Sequence, residues 1–187
     1  METQLQFTLV SNDAEIEGIL ALQKANRPDN LTPEELRREG FVTVVHNFDL
    51  LKNMNLAAPS VIAKDGDRVV GYNIVMLRDF SDRIPVLFSL FEQLETVDFK
   101  GKPLAAYDYV CCGQVCVAEG YRGQNVFDRL CEKYREAYAG RFELMLTDIS
   151  SRNPRSLRAH RRVGFDVVKT FQAEDGEVWD IVVWDWR

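Results

Sequence analysis

The feature that most constrains the fold of this chain is a strand that leads through a short glycine-containing turn into a helix. Residues 109–117 are β-branched, aromatic or small, which is typical of a buried strand. Residues 126–138 carry apolar side chains at helical spacing and charged side chains on the opposite face. An amphipathic helix directly after a buried strand packs on one face of a sheet, so we expect layers of sheet and helix.

Further strands and helices surround this unit in the sequence. Asp-Gly turns separate two pairs of apolar runs, which predicts β-hairpins over residues 60–77 and 165–184. Apolar periodicity and capping residues predict helices over residues 32–40, 84–95 and 153–163. No linker-like composition interrupts the chain. We therefore predict one domain spanning residues 1–187, an α/β (α+β) fold whose mixed, mostly antiparallel sheet is flanked by helices.

Composition argues against several classes of protein. The chain has 187 residues, 46% of them hydrophobic, which is enough for one sizeable core. Its net charge of -6 at pH 7 argues against a nucleic acid or an anionic membrane as the main partner. The acidic start has no apolar signal segment, and no run of about 18 apolar residues occurs. We therefore expect a cytoplasmic protein.

The cysteines are expected to be reduced core residues rather than metal ligands. They fall in predicted strand and helix interiors and lack C-x-x-C spacing, and the chain has only two histidines to assist them. The four are Cys111, Cys112, Cys116 and Cys131. Strand alternation predicts that Cys112 and Cys116 share one face of their strand. No metal site is predicted.

The turn between the strand and the helix, residues 120–125, is predicted to bind a diphosphate. The first backbone N–H groups of a helix lack intrahelical partners, and the helix dipole is positive at that end. Gly123 allows a ligand to approach the backbone closely. On its own an Arg-Gly pair before a helix is a weak signal, because most such pairs are ordinary connections.

A second segment strengthens this interpretation. Residues 153–165 read Asn-Pro-Arg-Ser-Leu-Arg-Ala-His-Arg-Arg-Val-Gly-Phe. Together with Arg122 and Gly123, this segment resembles the GNAT superfamily of acyl-CoA N-acyltransferases, over about residues 60–184 in element order. Asn125 and Phe127 stand where that family has small residues. Asn tolerates positive φ, so Asn125 is expected to keep the shape of the loop, whereas Phe127 must turn into the core or crowd the cofactor.

The resemblance implies a fold with splayed central strands and a site for acetyl-CoA or another short acyl-CoA. The pantetheine arm would pair with the backbone of Val115, Cys116 and Val117. The pyrophosphate would be held by the amides of Arg122, Gly123, Gln124, Asn125, Val126 and Phe127. The side chain of Asn153 would bind the cofactor, although Asn before Pro is also a common helix N-cap pair.

Two residues are the candidates for proton transfer. His160 stands where family members have a tyrosine that protonates the leaving thiolate, and an imidazolium near its usual pKa could give a proton to a thiolate. Asp108, near the start of the strand, is the expected general base, acting through water. Tyr107, Tyr109 and Asp148 are further possibilities for the base.

The resemblance implies an acetyl-CoA-dependent N-acetyltransferase that transfers the acetyl group directly within a ternary complex. The acceptor would be a small-molecule amine or a peptide, and the protein could form a homodimer. Two alternatives stay open. One is an acyl-CoA-binding domain without turnover, and the other is an acyltransferase or hydrolase that uses Cys111 or Cys112 with His160.

Overall fold

The computed structural model describes residues 5–27, 42, 44–84 and 87–187. The strands that these residues form are β1 (Gln6–Leu9), β2 (Val61–Asp65), β3 (Arg68–Met76), β4 (Asp98–Phe99), β5 (Lys102–Pro103), β6 (Tyr109–Val117), β7 (Leu144–Ser150), β8 (Asp166–Gln172) and β9 (Val178–Asp185). The helices are α1 (Asp13–Ala25), α2 (Phe48–Ala57), α3 (Phe88–Leu94), α4 (Val126–Tyr138) and α5 (Pro154–Val163). Within the described residues, short 3₁₀ helices lie at Arg78–Arg83, Leu104–Ala106 and Glu119–Tyr121.

Seven strands form one mixed sheet in the order β1-β2-β3-β6-β7-β9-β8. The β6–β7 pair is parallel, and each other neighbouring pair of this sheet is antiparallel. The connection between the parallel strands runs through α4, because parallel neighbours need a crossover rather than a hairpin. The sheet therefore confirms the predicted mixed, mostly antiparallel architecture and both hairpins.

The sheet has a hydrophobic core on each face. One core joins α1 and α2 to the sheet through residues such as Ile19 and Leu51. The other joins α4 to the opposite face through residues such as Leu130 and Tyr134. We call the first the α1/α2 face and the second the α4 face. Because both faces are covered, the middle strands read as continuous apolar runs in the sequence.

A bulge in β6 reverses the side-chain alternation that the sequence predicts. In the register with β3, Ile74 lies opposite Gln114, and the next residue, Val75, lies opposite Cys112, so Gly113 is the extra residue. As a result Cys112 packs in the core of the α4 face and Cys116 in the core of the α1/α2 face. The prediction that the two thiols share one face was wrong, because strict alternation fails at a bulge.

One predicted helix cannot be compared with the structure, and another is shorter than predicted. The helix predicted over residues 32–40 lies outside the described residues. The one predicted over 84–95 is reduced to α3, which begins only at Phe88. Ile84 has φ −130° and ψ 84°, outside the helical region, because the residue before a proline is restrained to extended backbone.

Candidate active site

The central strands β6 and β7 part after three residue pairs. Their ladder ends with Cys111 opposite Leu146. The hydroxyl of Thr147 donates to the carbonyl oxygen of Cys112 at 2.9 Å, and beyond this bond β6 has no ladder partner on the β7 side. We call this point the fork. It leaves several backbone groups of β6 facing a gap, and it confirms the expected splay.

The backbone direction of β6 beyond the fork follows from one hydrogen bond. The amide of Ala118 donates to the carbonyl oxygen of Val70 on β3 at 2.8 Å. Since backbone groups alternate in direction along a strand, those of Val115 and Val117 point into the gap. The backbone of Cys116 instead faces β3, opposite Tyr72. Of the three residues that the sequence nominated for pantetheine, two therefore direct their backbone groups into the gap.

The turn after β6 has the backbone conformation that a cradle for phosphate requires. Gly123 has φ +75° and Asn125 has φ +58°, both in the left-handed region. The expectation that Asn125 tolerates positive φ is confirmed. The first hydrogen bond into α4 runs from the amide of Arg129 to the carbonyl oxygen of Asn125 at 3.1 Å. The amides that precede it at this helix end point outward. A Cβ added to Gly123 would meet no atom within 4 Å, so this position borders open space.

A cavity of about 430 Å³ lies beside this turn, a volume typical of ligand sites. Its wall is formed mainly by the end of β6, the turn, the start of α4 and one side of α5. Among the described residues that line it, four are arginines and none is a carboxylate. The arginines are Arg122, Arg155, Arg158 and Arg162. Arg162 is ion-paired with Asp128 of α4 at 2.6 Å, but the described lining holds no carboxylate of its own, so the cavity is cationic although the whole chain is acidic.

Arg122 connects this turn to two other elements. Its Nε donates to the carbonyl oxygen of Val117 at 2.9 Å, and a terminal nitrogen donates to Oδ1 of Asn26 at 2.5 Å. Asn26 is the C-cap of α1, and its own carbonyl oxygen accepts from the amide of Val42 at 3.3 Å. The side chain of Arg122 therefore holds the turn against the end of α1, in addition to lining the cavity.

A second, narrower cavity of about 90 Å³ lies on the other side of the fork. Apolar residues such as Val44, Leu87 and Trp179 form part of its wall, together with Gln114 on β6. Both cavities share four lining residues: Val42, Val115, Asn153 and Ser156. The two spaces therefore meet at the fork, with the cationic cavity on one side and the narrow one on the other.

Asp148 is the one carboxylate among the described residues that line either cavity. Its burial raises the pKa of this carboxyl to about 7, and a hydrogen bond from its own backbone amide offsets only part of that effect. No ion pair to Asp148 occurs within the described part of the chain. Sequence reasoning had included it only as a further possibility.

Asn153 immediately precedes α5, His160 lies on it, and both line the narrow cavity. Asn153 caps the helix, since its Oδ1 accepts from the amide of Ser156 at 3.2 Å. Nδ1 of His160 lies 2.8 Å from the carbonyl oxygen of Ser156 and must donate to it, which leaves Nε2 without the proton. Gly164 ends the helix at φ +115°, as predicted.

His160 is buried and uncharged. Desolvation lowers its pKa to about 4, and the hydrogen bond to Ser156 opposes this effect only in part. From the sequence we expected an imidazolium that donates a proton. The structure corrects this protonation state, because the neutral ring with its proton on Nδ1 carries no proton on Nε2 at neutral pH.

Phe127 has turned toward α5. Its ring meets the imidazole of His160 edge-on, with centroids 4.9 Å apart, and Phe165 packs on the same imidazole at 4.9 Å. Phe127 is half-buried and also lines the larger cavity. It therefore supports α5 and forms part of the cavity wall, rather than filling the turn.

A buried polar network that sequence reasoning missed supports the narrow cavity. Oε1 of Gln114 accepts from Nε2 of Gln23 at 2.7 Å and from the hydroxyl of Tyr72 at 2.5 Å, while its Nε2 donates to the carbonyl oxygen of Val44 at 2.8 Å. Nε2 of Gln23 also donates to Nδ1 of His46 at 2.8 Å. Gln114 could have indicated this network in the sequence, because it is the one residue of β6 with a side-chain amide.

Asp108 is not brought to the site. It precedes β6 at the end away from the fork, is exposed, and lines neither cavity. Its backbone accepts from the amides of Glu143 and Leu144, which explains it as a strand-entry residue. The geometry therefore does not support Asp108 as the base.

The four cysteines are buried and free. Burial raises the pKa of the Cys112 and Cys116 thiols to about 12 and places that of Cys111 higher still. A thiol with so high a pKa is a poor nucleophile at neutral pH.

Among the described residues, no group of three or more His, Cys, Asp or Glu is arranged to hold a metal ion. In the same residues, no helix has the length and apolarity needed to cross a bilayer.

The forked sheet, the cradle and the cationic cavity define an acyltransferase-like architecture. The chain belongs to the acetyltransferase (GNAT) family, whose pattern matches residues 17–165. This confirms the resemblance read from the two sequence segments. No curated protein sequence matches the chain significantly.

Solved structures confirm the fold. A chain of the NatC complex bound to Gag peptide and CoA is similar at 10% identity, with a TM-score of 0.66, covering 97% of this chain and 98% of that one. A putative acetyltransferase from Salmonella typhimurium with its cofactor acetyl-CoA gives 14% identity, a TM-score of 0.62 and coverage of 98% and 94%. A GNAT-family acetyltransferase from Streptococcus agalactiae is similar at 14% identity, with a TM-score of 0.62, covering 97% of this chain and 95% of that one.

Proposed function

We propose that this protein is an acetyl-CoA-dependent N-acetyltransferase that moves an acetyl group directly to an amine bound in the same complex. The observation that carries the proposal is the fork, where a cationic cavity of about 430 Å³ meets a narrow one lined by a single described carboxylate. A cationic space suits an anionic nucleotide, and a carboxylate suits an amine. Direct transfer requires both reactants to meet at one point, which the shared wall provides.

The residues of the larger cavity fit an acyl-CoA. The outward-facing amides from Gly123 to Phe127 are suited to the pyrophosphate, and arginines surround the same space. The backbone groups of Val115 and the amide of Val117 offer the pantetheine amides a strand edge without a neighbouring strand, while the carbonyl oxygen of Val117 accepts from Arg122. Acetyl-CoA supplies the activated thioester when bound, and these residues hold and orient it.

Asn153 is proposed to serve two purposes. Its Oδ1 is used in capping α5, while its position on the wall shared by both cavities leaves the side-chain amide NH₂ group available to a ligand. An Asn side chain has two donor hydrogens besides its acceptor oxygen, so capping and cofactor binding are compatible.

The acceptor is proposed to be a primary amine on a small molecule or on a peptide. The structural neighbours include a complex bound to a peptide and a spermidine N-acetyltransferase chimera. In this chain, the narrow cavity is lined by apolar residues, by hydroxyl and amide side chains and by one carboxylate, which suits an amine at the end of a slender group. A small-molecule amine and the amino group of a peptide can both present an amine in this way.

Binding of acyl-CoA without turnover is the second candidate. The neutral state of His160 favours it, because the expected proton donor is missing, and β6 offers Gln114 rather than a carboxylate. The two candidates differ in one measurement: release of free CoA thiol from acetyl-CoA in the presence of a panel of amines. The hypothesis of a cysteine nucleophile loses support, because the buried thiols stay protonated.

The variant Gly123→Val tests the cofactor site. A β-branched side chain at φ +75° would strain the turn and occupy the space that borders the cavity. We expect the calorimetric affinity for acetyl-CoA to fall by at least about tenfold, equivalent to about 1.4 kcal/mol. Gly176→Val is the matched control, because Gly176 has a similar φ of +86° in the β8–β9 turn. Unchanged affinity in Gly123→Val would rule out the cradle.

A further inference from the structure

We propose that Asp148 carries the proton in both directions: it takes the proton from the attacking amine and returns it to the departing thiolate. This inference rests on the proposed acetyl transfer. It replaces two separate residues, a base and an acid, by one carboxyl group.

The position of Asp148 is the first argument. The β6–β7 ladder ends at Leu146, Thr147 bonds across the fork, and Asp148 is the next residue. Leu144 and Leu146 point to the α1/α2 face, as does Ile181, the cross-strand neighbour of Asp148. By alternation the carboxyl points to that face as well, into the narrow cavity. It therefore lies immediately beyond the point where the strands separate.

Gln114 cannot take over the role of a base on β6. Its carboxamide accepts from Gln23 and Tyr72 and donates to the carbonyl oxygen of Val44. A carboxylate there would place an oxygen against that carbonyl oxygen at about the same 2.8 Å. The network therefore requires an amide at this position, and the base must come from another strand.

Neither the histidine nor the tyrosine among the described lining residues is placed to act as the acid. Nδ1–H of His160 is used on the carbonyl oxygen of Ser156, and its Nε2 has no proton to give. The one tyrosine among the described lining residues is Tyr121, whose hydroxyl donates to Asp65 at 2.6 Å. His160 is thus a positioning residue: its unprotonated Nε2 is suited to accept a hydrogen bond from the amine.

The surroundings of Asp148 favour a proton that moves on and off at neutral pH. The titratable groups beside it within the described residues are the thiols of Cys111 and Cys112 on β6, protonated because they are buried, and the imidazole of His160 on α5, which lines the same cavity and is neutral. At the rim, Ser150 contacts Glu177, whose charge is paired with Arg152. No cation holds Asp148 ionised, so burial raises its pKa to about 7.

The step balances without another reactant. The amine nitrogen uses its electron pair to form the bond to the acetyl carbon, and Asp148 accepts the proton that this nitrogen loses. The carbon–sulfur bond breaks with its electron pair on sulfur, and Asp148 returns the same proton to that sulfur. The products are an acetamide and a free thiol. An acceptor that arrives as an ammonium ion first releases one additional proton to solvent.

The first test observes Asp148 without any turnover. Carbon-13 NMR of aspartate-labelled protein, free of CoA, should show a carboxyl that titrates near neutral pH, and Asp148→Asn should remove that signal. The wild-type titration does not depend on how any variant folds. If every aspartate signal titrates in the usual acidic range, near about 3.9, the inference is overturned.

The second test separates this inference from the proposed function. In Asp148→Asn the calorimetric affinity for acetyl-CoA should stay within about twofold, while kcat should fall by about 100-fold or more. Formate should restore part of the turnover of Asp148→Ala, which loss of a structural residue would not allow. Asp67→Asn, in the exposed β2–β3 turn, is the matched control. Failure of the wild type to bind acetyl-CoA contradicts the proposed function, whereas full turnover of Asp148→Asn contradicts only the inference.

Discussion

The imidazole of His160 packs edge-on against Phe127, a large residue in the first turn of α4. The ring centroids are 4.9 Å apart, and Phe165 holds the imidazole from another side at the same distance. The large residue at the start of α4 therefore packs against the histidine on α5. Both contacts help to bury the ring, and burial keeps it neutral.

This arrangement predicts the behaviour of His160→Phe. The larger ring keeps the aromatic contacts but loses the hydrogen bond to Ser156 and the unprotonated Nε2. We expect kcat to fall by about tenfold, with acetyl-CoA affinity within about twofold of wild type. Steady-state kinetics and calorimetry would measure the two effects. A variant with wild-type kinetics would remove His160 from the mechanism, and a fall as large as that of Asp148→Asn would make it more than a positioning residue.

The pH dependence of stability should separate His160 from Asp148. Burial lowers the pKa of His160 from 6.5 to about 4, so its neutral form stabilises the fold above pH 6.5 and this contribution is lost as the pH falls toward 4. The loss is roughly 3 kcal/mol at the acid end. His46 behaves in the same way, since its pKa is also lowered to about 4. Asp148 acts in the opposite direction. Its pKa is raised from 3.8 to about 7, so its protonation adds stability as the pH falls through that range.

Urea unfolding at several pH values between about 7.5 and 4.5 would measure these contributions. Relative to wild type, His160→Phe should lose less stability on acidification, and Asp148→Asn should lose more. Each variant serves as a control for the other, because both residues line the same cavity but their pKa values are shifted in opposite directions. Parallel curves for all three proteins would show that neither group has a shifted pKa.

Gln114→Glu tests the requirement for an amide in β6. Ionised at pH 8, the new carboxylate would face the carbonyl oxygen of Val44, so we expect a loss of about 2 kcal/mol in the free energy of unfolding. Protonation would restore a donor toward Val44, so the loss should shrink on acidification. Gln6→Glu, on the exposed edge strand β1, is the control and should change little. A variant that is equally stable and turns over faster would show that β6 accepts a base, contrary to this expectation.

Several parts of the site could be predicted because they depend on local chemistry. Asn153 before Pro154 specifies a helix start, and Gly164 specifies its end, independently of what surrounds them. Asn125 and Gly123 were expected to allow a left-handed turn, and both have positive φ. The general base could not be predicted in this way, because its position depends on contacts between residues distant in sequence. Asp108 was the expected base because it precedes β6 directly in the sequence.

The sequence by itself determined the order of strands and helices, the turn that suits a diphosphate and the family, because apolar periodicity, capping residues and positive-φ positions act over a few neighbouring residues. Only the tertiary structure decided which side chains meet. Gly113 forms a bulge that turns Gln114 toward the α1/α2 face, and the separation of β6 from β7 leaves Asp148 lining the narrow cavity at the fork. Strand register and burial depend on contacts between residues distant in sequence, and these contacts also set the protonation of His160 and Asp148.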